Sequence, residues 1–279
     1  MVPVDRYFLA ALLSGLVTEQ LYLDDDSVTA FDATVERALS DPPRVVLDRT
    51  HFYPTGGGQP HDTGALRAAD GDRVWRVVDV EKRDTVYHAL GTAEDADGGD
   101  GEPPELPEPG TAVRGEIDAD RRAAHSRYHT AQHLLSALLL DEFDARTTGN
   151  QLYADRARLD AAHDRFSDAD LDRIETRLNE LVADARPVSS YAMDREQAEA
   201  TLDTERTRID LLPDSIEELR IVEIAGESEG DEPYDRTACA GTHVENTADI
   251  GEVVVTGRET KGPEEERVRF ALAEHVDED

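Results

Sequence analysis

The sequence has few of several residue types on which common protein classes depend. Its single cysteine cannot form an internal disulfide, which points to a reducing compartment or to metal ligation. No apolar run reaches the roughly 18 residues of a membrane-spanning helix, so no membrane span is predicted. Lysine occurs only at Lys82 and Lys261, and every other basic residue is arginine.

Acidic residues, in contrast, are abundant. The 279-residue chain carries 63 Asp and Glu against 29 Lys and Arg, a formal net charge of −34. This surface predicts a halophilic organism, because multimolar salt screens charge repulsion to within a few ångströms. The same charge argues against a nucleic-acid partner, whose phosphates supply most non-specific affinity. In very high salt the objection weakens, and local arginines and shape recognition would supply the affinity.

Two pairs of metal-binding residue types share the spacing i, i+4. His129 and His133 precede a leucine-rich continuation, which predicts a helix with both imidazoles on one face, about 6 Å apart. The only cysteine, Cys239, is followed four positions later by His243 in a glycine-containing turn. A single H-x3-H occurs often by chance, but both pairs together predict zinc, which accepts imidazole nitrogen and thiolate sulfur. His125 could replace His133 in the first pair; the apolar residues after His133 favour 129/133 and leave His125 partly exposed.

The first part of the chain has the pattern of a small antiparallel sheet or barrel. Short β-branched runs alternate with turn residues. The predicted strands are Val28 to Val35, Arg44 to Asp48, Gly64 to Leu66, Val74 to Val80, Thr85 to His88 and Thr111 to Ile117. We predict a β-barrel domain over residues 18–118, with a disordered acidic loop at 91–110.

After Asp118 the pattern changes to mixed helices and strands. A helix is predicted over 120–140, with the buried stripe Ala124, Tyr128, Ala131, Leu134, Leu135, Leu138 and Leu139. Ser167 and Asp170 predict a capping box for a second helix. Further predicted elements are a short helix at 194–202 and strands at 152–159, 187–191, 219–224, 252–256 and 266–271. The fold class is therefore α+β, with a two-layer domain over 119–279.

Residues 1–17 stand apart. Their apolar stretch is reminiscent of a signal sequence, but Asp5 offsets Arg6 and no clear cleavage site follows. We predict an N-terminal extension, or a start codon placed too early.

In order and separation, the two ligand pairs resemble the editing domain of alanyl-tRNA synthetase and its freestanding AlaX relatives. Phe52 to Pro60, with Gly56, Gly57, Gly58 and Gln59, is similar to the glycine-rich segment upstream of the zinc helix in that family. Thr242 to Val244, Ile250–Gly251 and Lys261–Gly262 continue the resemblance, which covers about residues 18 to 272. It implies a medium-length AlaX protein with an N-terminal barrel and an alanyl/threonyl-tRNA synthetase-type editing domain.

The resemblance also implies an activity. An AlaX protein is a cytoplasmic aminoacyl-tRNA deacylase that removes serine or glycine from mischarged tRNA(Ala), with one Zn²⁺ per chain. We expect His129, His133, Cys239 and His243 to be the ligands. No ATP site is recognisable, and the oligomeric state is not predicted. The zinc could be open and catalytic, or closed and structural.

Candidate substrate contacts are Thr50, Gly56, Gly57, Gly58 and Gln59. The glycines permit close backbone approach to the tRNA acceptor end, with the Gln59 amide as hydrogen-bond donor. The Thr50 hydroxyl could recognise serine. The plainer alternatives are an ordinary glycine-rich turn and a threonine at a strand end.

Some residues differ from the metalloprotease motif or from the motifs of the editing-domain family. Thr130 stands where an H-E-x-x-H metalloprotease has its glutamate base. The sequence is therefore not that of such a protease. Ala240 replaces an expected glycine, and Pro263 to Glu266 stand where a basic cluster is expected. Two other functions remain open: a noncatalytic tRNA- or partner-binding module with structural zinc, and a zinc hydrolase of small esters or amides.

Overall fold

The computed structural model describes residues 17–71, 73–91, 105–203, 207, 209, 216–228 and 230–276. These residues fall into two compact units. The first lies within Met1–Gly56 and Pro60–Arg122, and the second comprises Gly57–Gln59 and Ala123–Asp279. The three residues Gly57–Gln59 thus belong to the second unit although their chain neighbours belong to the first. The domain boundary predicted between 118 and 119, and the extension predicted over 1–17, stay predictions.

The first unit is built around a closed six-stranded barrel, as the sequence predicts. Around the barrel the order is β2-β3-β7-β6-β5-β8, and β1 pairs in parallel with β4. The strands are β1 Glu19–Gln20, β2 Ala30–Ser40, β3 Pro43–Leu47, β4 Arg49–Thr50, β5 Gly64–Ala68, β6 Val74–Lys82, β7 Val86–Gly91 and β8 Ala112–Ile117. A 3-10 turn, Leu21–Leu23, precedes β2.

Alternating side chains fill the barrel. In β2, Phe31, Ala33 and Val35 point inward and are buried, while the residues between them are more exposed, as the two-residue period of a strand requires. The prediction of a disordered loop over 91–110 is wrong for the residues at both ends of that range. Gly91 is the last residue of β7, and the Trp75 indole N–H donates a 2.7 Å hydrogen bond to the Glu105 carbonyl. Residues 92–104 lie outside the described residues.

A buried ion pair organises the residues around the glycine-rich segment in the first unit. Arg122 donates to both carboxylate oxygens of Asp62 and to the carbonyl oxygens of Asp26 and His51. The Asp62 carboxylate also accepts a 2.7 Å bond from the Tyr53 N–H. Both charges are thereby satisfied in the interior, where an unpaired charge would be costly.

The second unit combines helices with two antiparallel sheets, as expected for an α+β fold. One sheet has the order β14-β15-β10-β9 and the other β11-β12-β13. The strands are β9 Thr147–Leu152, β10 Ala157–Ala161, β11 Val188–Asp194, β12 Glu218–Ile224, β13 Asp235–Ala238, β14 Val253–Gly262 and β15 Glu265–Leu272. The helices are α1 Ala119–Phe143, whose first four residues belong to the first unit, α2 Asp168–Ala183 and α3 Arg195–Thr201, with 3-10 turns Thr247–Ile250 and Ala273–His275.

Helix α2 begins as predicted. Ser167 and Asp170 form a reciprocal capping box, and Ile174, Leu178, Leu181 and Val182 form its buried side. Together with the buried leucines of α1 and residues of the four-stranded sheet, these side chains form one hydrophobic core. The Asn179 side chain both accepts from and donates to the backbone of Val253 in edge strand β14, which satisfies the N–H and the carbonyl of that residue.

The strands of the second unit differ in part from the predicted ones. The strand predicted over 152–159 is a hairpin: β9 ends at Leu152 and β10 begins at Ala157, and the Tyr153 N–H closes the turn on the Arg156 carbonyl at 2.8 Å. Strand β13 was not predicted, because the polar Asp235–Ala238 has no apolar alternation. In the part of the chain that the structure describes, no helix combines the length and apolar character that crossing a membrane requires.

Candidate metal centre

The two predicted ligand pairs come together in the second unit. The ligand atoms of His129, His133, Cys239 and His243 all lie within 4.8 Å of one another. The Cys239 Sγ is 3.6 Å from His129 Nε2 and 3.4 Å from His243 Nε2. Around a tetrahedral zinc, with bonds of about 2.0–2.3 Å, neighbouring ligand atoms are separated by roughly 3.3–3.6 Å. The two separations from Cys239 and the donor types fit that ion.

Helix α1 supplies two of the imidazoles. The spacing i, i+4 places the His129 and His133 rings on one helix face, with centroids 5.2 Å apart. His125, one turn earlier, is not part of the cluster of potential ligands. The prediction that His125 is partly exposed is wrong, because this part of α1 is covered on nearly every side and the His125 side chain is fully buried.

Gln59 fixes the orientation of His129. Its Oε1 accepts a 2.8 Å hydrogen bond from His129 Nδ1 and a 3.1 Å bond from the Thr242 backbone N–H. Since a backbone N–H can only donate, the second bond identifies the amide oxygen. Gln59 Nε2 donates to the Thr242 hydroxyl at 3.0 Å. His129 therefore carries its proton on Nδ1 and presents the Nε2 lone pair.

Thr130 fixes His243 in the same way. The Thr130 hydroxyl donates its one proton to the Ser126 carbonyl at 2.9 Å, and it accepts from the Val244 N–H. Its 3.1 Å contact with His243 Nδ1 is then one in which the ring N–H donates. The residue that stands where a protease has its glutamate base thus orients a ligand here.

The third imidazole is held by a carboxylate. Asp235 Oδ2 lies 2.7 Å from His133 Nδ1, and the Thr237 hydroxyl lies 3.3 Å from the same nitrogen. All three rings therefore have Nδ1 engaged by an oxygen atom, which leaves each Nε2 available to a shared ion. Such outer partners are typical of histidines that bind metals.

The Cys239–His243 turn is held by the side chain and the backbone of Arg220. Arg220 of β12 donates to the carbonyl oxygens of Cys239 and Gly241, at 3.0 and 2.8 Å, and its carbonyl accepts from the Cys239 N–H. The Gly241 N–H approaches Cys239 Sγ at 3.4 Å. A Cβ on Gly241 would lie 2.0 Å from Cε1 of His129, so only glycine fits there. Ala240, in contrast, is exposed.

The cluster is arranged to stabilise a thiolate. Burial raises the pKa of Cys239, but the neighbouring imidazoles lower it well below its usual value. Burial and the neighbouring His129 lower the pKa of His243. For His133 burial also lowers the pKa, but hydrogen bonds to Asp235 and Cys239 and the negative charges of both residues together outweigh it and raise the pKa to about 10. The thiolate is the form that binds metal.

The predicted substrate contacts lie in both units. Thr50 and Gly56 belong to the first. The buried Thr50 hydroxyl lies 2.9 Å from His88 Nε2 and accepts from the Phe52 N–H, and the Gly56 carbonyl accepts from the Tyr53 hydroxyl.

Gly57, Gly58 and Gln59 belong to the second unit. The Gly57 carbonyl accepts from Asn150, and the Gly58 carbonyl from the Leu152 N–H. Gly58 adopts φ +83°, and a Cβ there would lie 2.7 Å from Asn150 Nδ2. The Gln59 amide, predicted to contact substrate, is buried and bonded to His129 and Thr242. The predicted substrate contacts at these three residues and at Thr50 and Gly56 stay predictions.

Sequence reasoning missed the residues that orient the ligands. Asp235 is one of 63 acidic residues and has no distinctive neighbours, so nothing in the sequence separates it from surface carboxylates. Arg220 lies in an ordinary strand pattern. Thr130 was noted only because it replaces the glutamate of the H-E-x-x-H motif, and its role in orienting His243 was not predicted.

Comparisons with known proteins agree with this fold and site. Residues 219–269 match the model of the threonyl and alanyl tRNA synthetase second additional domain, and residues 20–121 match that of class II (A) tRNA synthetases. The fold is thus of the alanyl/threonyl-tRNA synthetase editing type.

Whole-chain comparison is more specific. Over 92% of its length, the chain is 37% identical to the complete alanyl-tRNA editing protein AlaX-M of Methanosarcina barkeri. It is 35% identical to 99% of the AlaX-M protein of Methanosarcina acetivorans. It is also 37% identical to a part of the Methanopyrus kandleri alanine–tRNA ligase that makes up 26% of that enzyme. The chain belongs to the AlaX-M family of alanyl-tRNA editing proteins.

Proposed function

We propose that this protein is a zinc-dependent trans-editing hydrolase that deacylates mischarged tRNA(Ala), releasing serine or glycine. Family membership supports alanyl-tRNA editing as the activity. The observation that carries the zinc dependence is the orientation of three Nε2 atoms toward the Cys239 sulfur by Gln59, Asp235 and Thr130. We place the activity in the cytoplasm, where aminoacyl-tRNA is used.

A bound zinc would supply a Lewis acid for the ester carbonyl, or an anchor for the amino group of the misattached residue. His129, His133, Cys239 and His243 would hold it. The backbone of Gly57 and Gly58, which is hydrogen-bonded to β9, would lie against the tRNA acceptor end. The Thr50 hydroxyl would recognise serine. A site that hydrogen-bonds a substrate hydroxyl discriminates more strongly than one that senses only an extra methylene.

The charge of the protein sets the conditions for tRNA binding. At a net charge of −34, the chain would repel tRNA in dilute buffer, and in multimolar KCl that repulsion is screened within a few ångströms. We therefore propose a halophilic protein that binds tRNA through local arginines and shape. For the domains, we propose a barrel domain over 18–118 and the zinc-binding editing domain over 119–279.

The shell of four protein ligands favours one second candidate. Structural zinc sites are closed by four protein ligands, whereas a catalytic site keeps a position for water or substrate. A noncatalytic tRNA-binding module with structural zinc would use the same cluster. It predicts that the loss of Cys239 unfolds the second unit, whereas a catalytic site predicts lost activity with the fold largely kept.

The decisive assay is release of amino acid from Ser-tRNA(Ala) and Gly-tRNA(Ala) in high KCl, with Ala-tRNA(Ala) as the specificity control. We expect zinc-loaded protein to release serine or glycine, chelator to abolish release, and added zinc to restore it. The Cys239→Ala variant should lose release while His163→Gln, a histidine outside the cluster, keeps it. Folded, zinc-loaded protein without release would reject the enzyme. Hydrolysis of small esters without tRNA would favour a general zinc hydrolase.

A further inference from the structure

Asp235 differs from the other residues that orient the ligands. It is the first residue of β13 and is 2% exposed, and its Oδ2 lies 2.7 Å from His133 Nδ1. The corresponding partners of His129 and His243 are a neutral amide and a neutral hydroxyl. One imidazole of three is therefore supported by a buried negative charge.

The position of this carboxylate is set by the strand. Asp235 pairs with Ile224 in the β12–β13 ladder, and β13 leads directly into Cys239. The same short strand thus delivers both the thiolate ligand and the carboxylate behind His133. Burying a carboxylate is costly unless it is paired, and the Asp235 carboxylate is paired with the His133 ring at 2.7 Å. A cation bound at the cluster would be a further counterpart.

A charge count identifies that counterpart. The four ligands contribute one negative charge, that of the Cys239 thiolate, and a divalent ion contributes two positive charges. The Asp235 carboxylate adds a second negative charge beside the cluster, which would favour binding of a divalent ion. It also keeps the His133 proton on Nδ1, because a carboxylate accepts a hydrogen bond and cannot donate one when ionised.

We propose that Asp235 is the positioning residue of the metal centre. It holds His133 Nδ1, so that Nε2 is left for a shared ion, and its negative charge would strengthen the binding of a divalent ion. The proposal rests on the proposed zinc dependence but not on tRNA editing. Hydrogen-bonded outer partners of zinc ligands contribute about 10- to 100-fold to metal affinity.

Two variants separate orientation from charge. Asp235→Asn keeps an oxygen that can accept from His133 Nδ1 but removes the charge, whereas Asp235→Ala removes both. Asp231→Asn is the control, because Asp231 is exposed four residues earlier and its carboxylate accepts only from the Ser228 N–H among the described contacts. Zinc affinity is measured by competition with a chromophoric chelator. The absorption spectrum of the Co²⁺-loaded protein reports whether the same four ligands bind.

We expect zinc affinity to fall about 10-fold in Asp235→Asn and further in Asp235→Ala, towards 100-fold, with Asp231→Asn unchanged. The cobalt spectrum of Asp235→Asn should keep its thiolate charge-transfer band, since the ligands remain. A zinc affinity of Asp235→Asn within twofold of the wild-type value overturns the proposal. If Asp235→Ala does not fold, the comparison of Asp235→Asn with wild type is sufficient to test the proposal. Wild-type protein that binds zinc but releases no amino acid would instead reject the editing function.

Discussion

Gln59 and His129 are 70 residues apart in the chain and are joined by a 2.8 Å hydrogen bond between Oε1 and Nδ1. The same Oε1 accepts from the backbone of Thr242, 183 residues from Gln59. One buried amide thus connects the glycine-rich segment to the helix that carries two ligands and to the turn that carries the other two. Gly57–Gln59 and the candidate metal ligands consequently belong to the same compact unit.

Replacing Gln59 with leucine should weaken zinc binding. The His129 ring would lose the acceptor that fixes its tautomer, and the Thr242 N–H would lose its partner. We expect zinc affinity to fall about 10- to 100-fold, measured by chelator competition. Gln151→Leu is the control, because among the described residues the Gln151 amide donates only to the neighbouring Leu152 carbonyl. An equal loss in both variants would argue against a specific role for Gln59.

Adding one methyl group at Gly241 should disrupt the centre. The new Cβ would lie 2.0 Å from His129 Cε1 and 2.3 Å from its Nδ1, so the ring or the turn must move. We expect Gly241→Ala to lose at least about 10-fold in zinc affinity and about 1–3 kcal/mol of stability. Ala240→Gly changes the adjacent exposed residue and should bind zinc like wild type. Normal zinc binding by Gly241→Ala would mean that the turn tolerates displacement.

The barrel should lose stability as the pH falls from 6.5 towards 4, because of His88. Burial lowers the pKa of this fully buried imidazole from 6.5 to about 4. The unfolded chain therefore binds a proton at His88 before the folded barrel does. The contribution of neutral His88 is complete above pH 6.5 and is lost by about pH 4, at most roughly 3 kcal/mol.

Fluorescence of Trp75 measures this effect selectively. Trp75 is the only tryptophan, and it is buried in the barrel core. Denaturant titrations between pH 7 and 4 give the unfolding free energy of wild type and of His88→Gln. The difference between the two removes the contribution of the carboxylates, which both proteins share. We expect a smaller decline of unfolding free energy in His88→Gln, and parallel declines would exclude His88 as the cause.

Stability should rise steeply with KCl. At a net charge of −34, self-repulsion opposes folding in dilute buffer, and salt near 1 M shortens its range to about 3 Å. We expect the thermal midpoint, followed by circular dichroism, to increase from dilute buffer to multimolar KCl. KCl must be compared with equimolar NaCl to separate screening from ion-specific effects. A midpoint independent of salt would contradict the halophilic assignment.

Local sequence signals were sufficient for much of the fold. The β2 alternation indicated a barrel strand, the 3.6-residue period around Leu134 and Leu138 indicated the buried helix, and Ser167 with Asp170 indicated a helix start. Each depends on neighbours within a few residues. The prediction of one strand over 152–159 was wrong, because Tyr153 to Arg156 form a turn whose closing hydrogen bond has no distinctive residue signature.

The amino-acid sequence by itself determined the ligand types, their pairwise spacing and the acidic character of the protein, since these are properties of residue identity and local periodicity. Only the tertiary structure decided that His133 rather than His125 joins His129 in the cluster, and that Gln59, Thr130 and Asp235 direct the three imidazoles. Those choices depend on which distant segments pack together, and hydrogen bonds across 70 to 113 residues leave no periodic pattern in the chain.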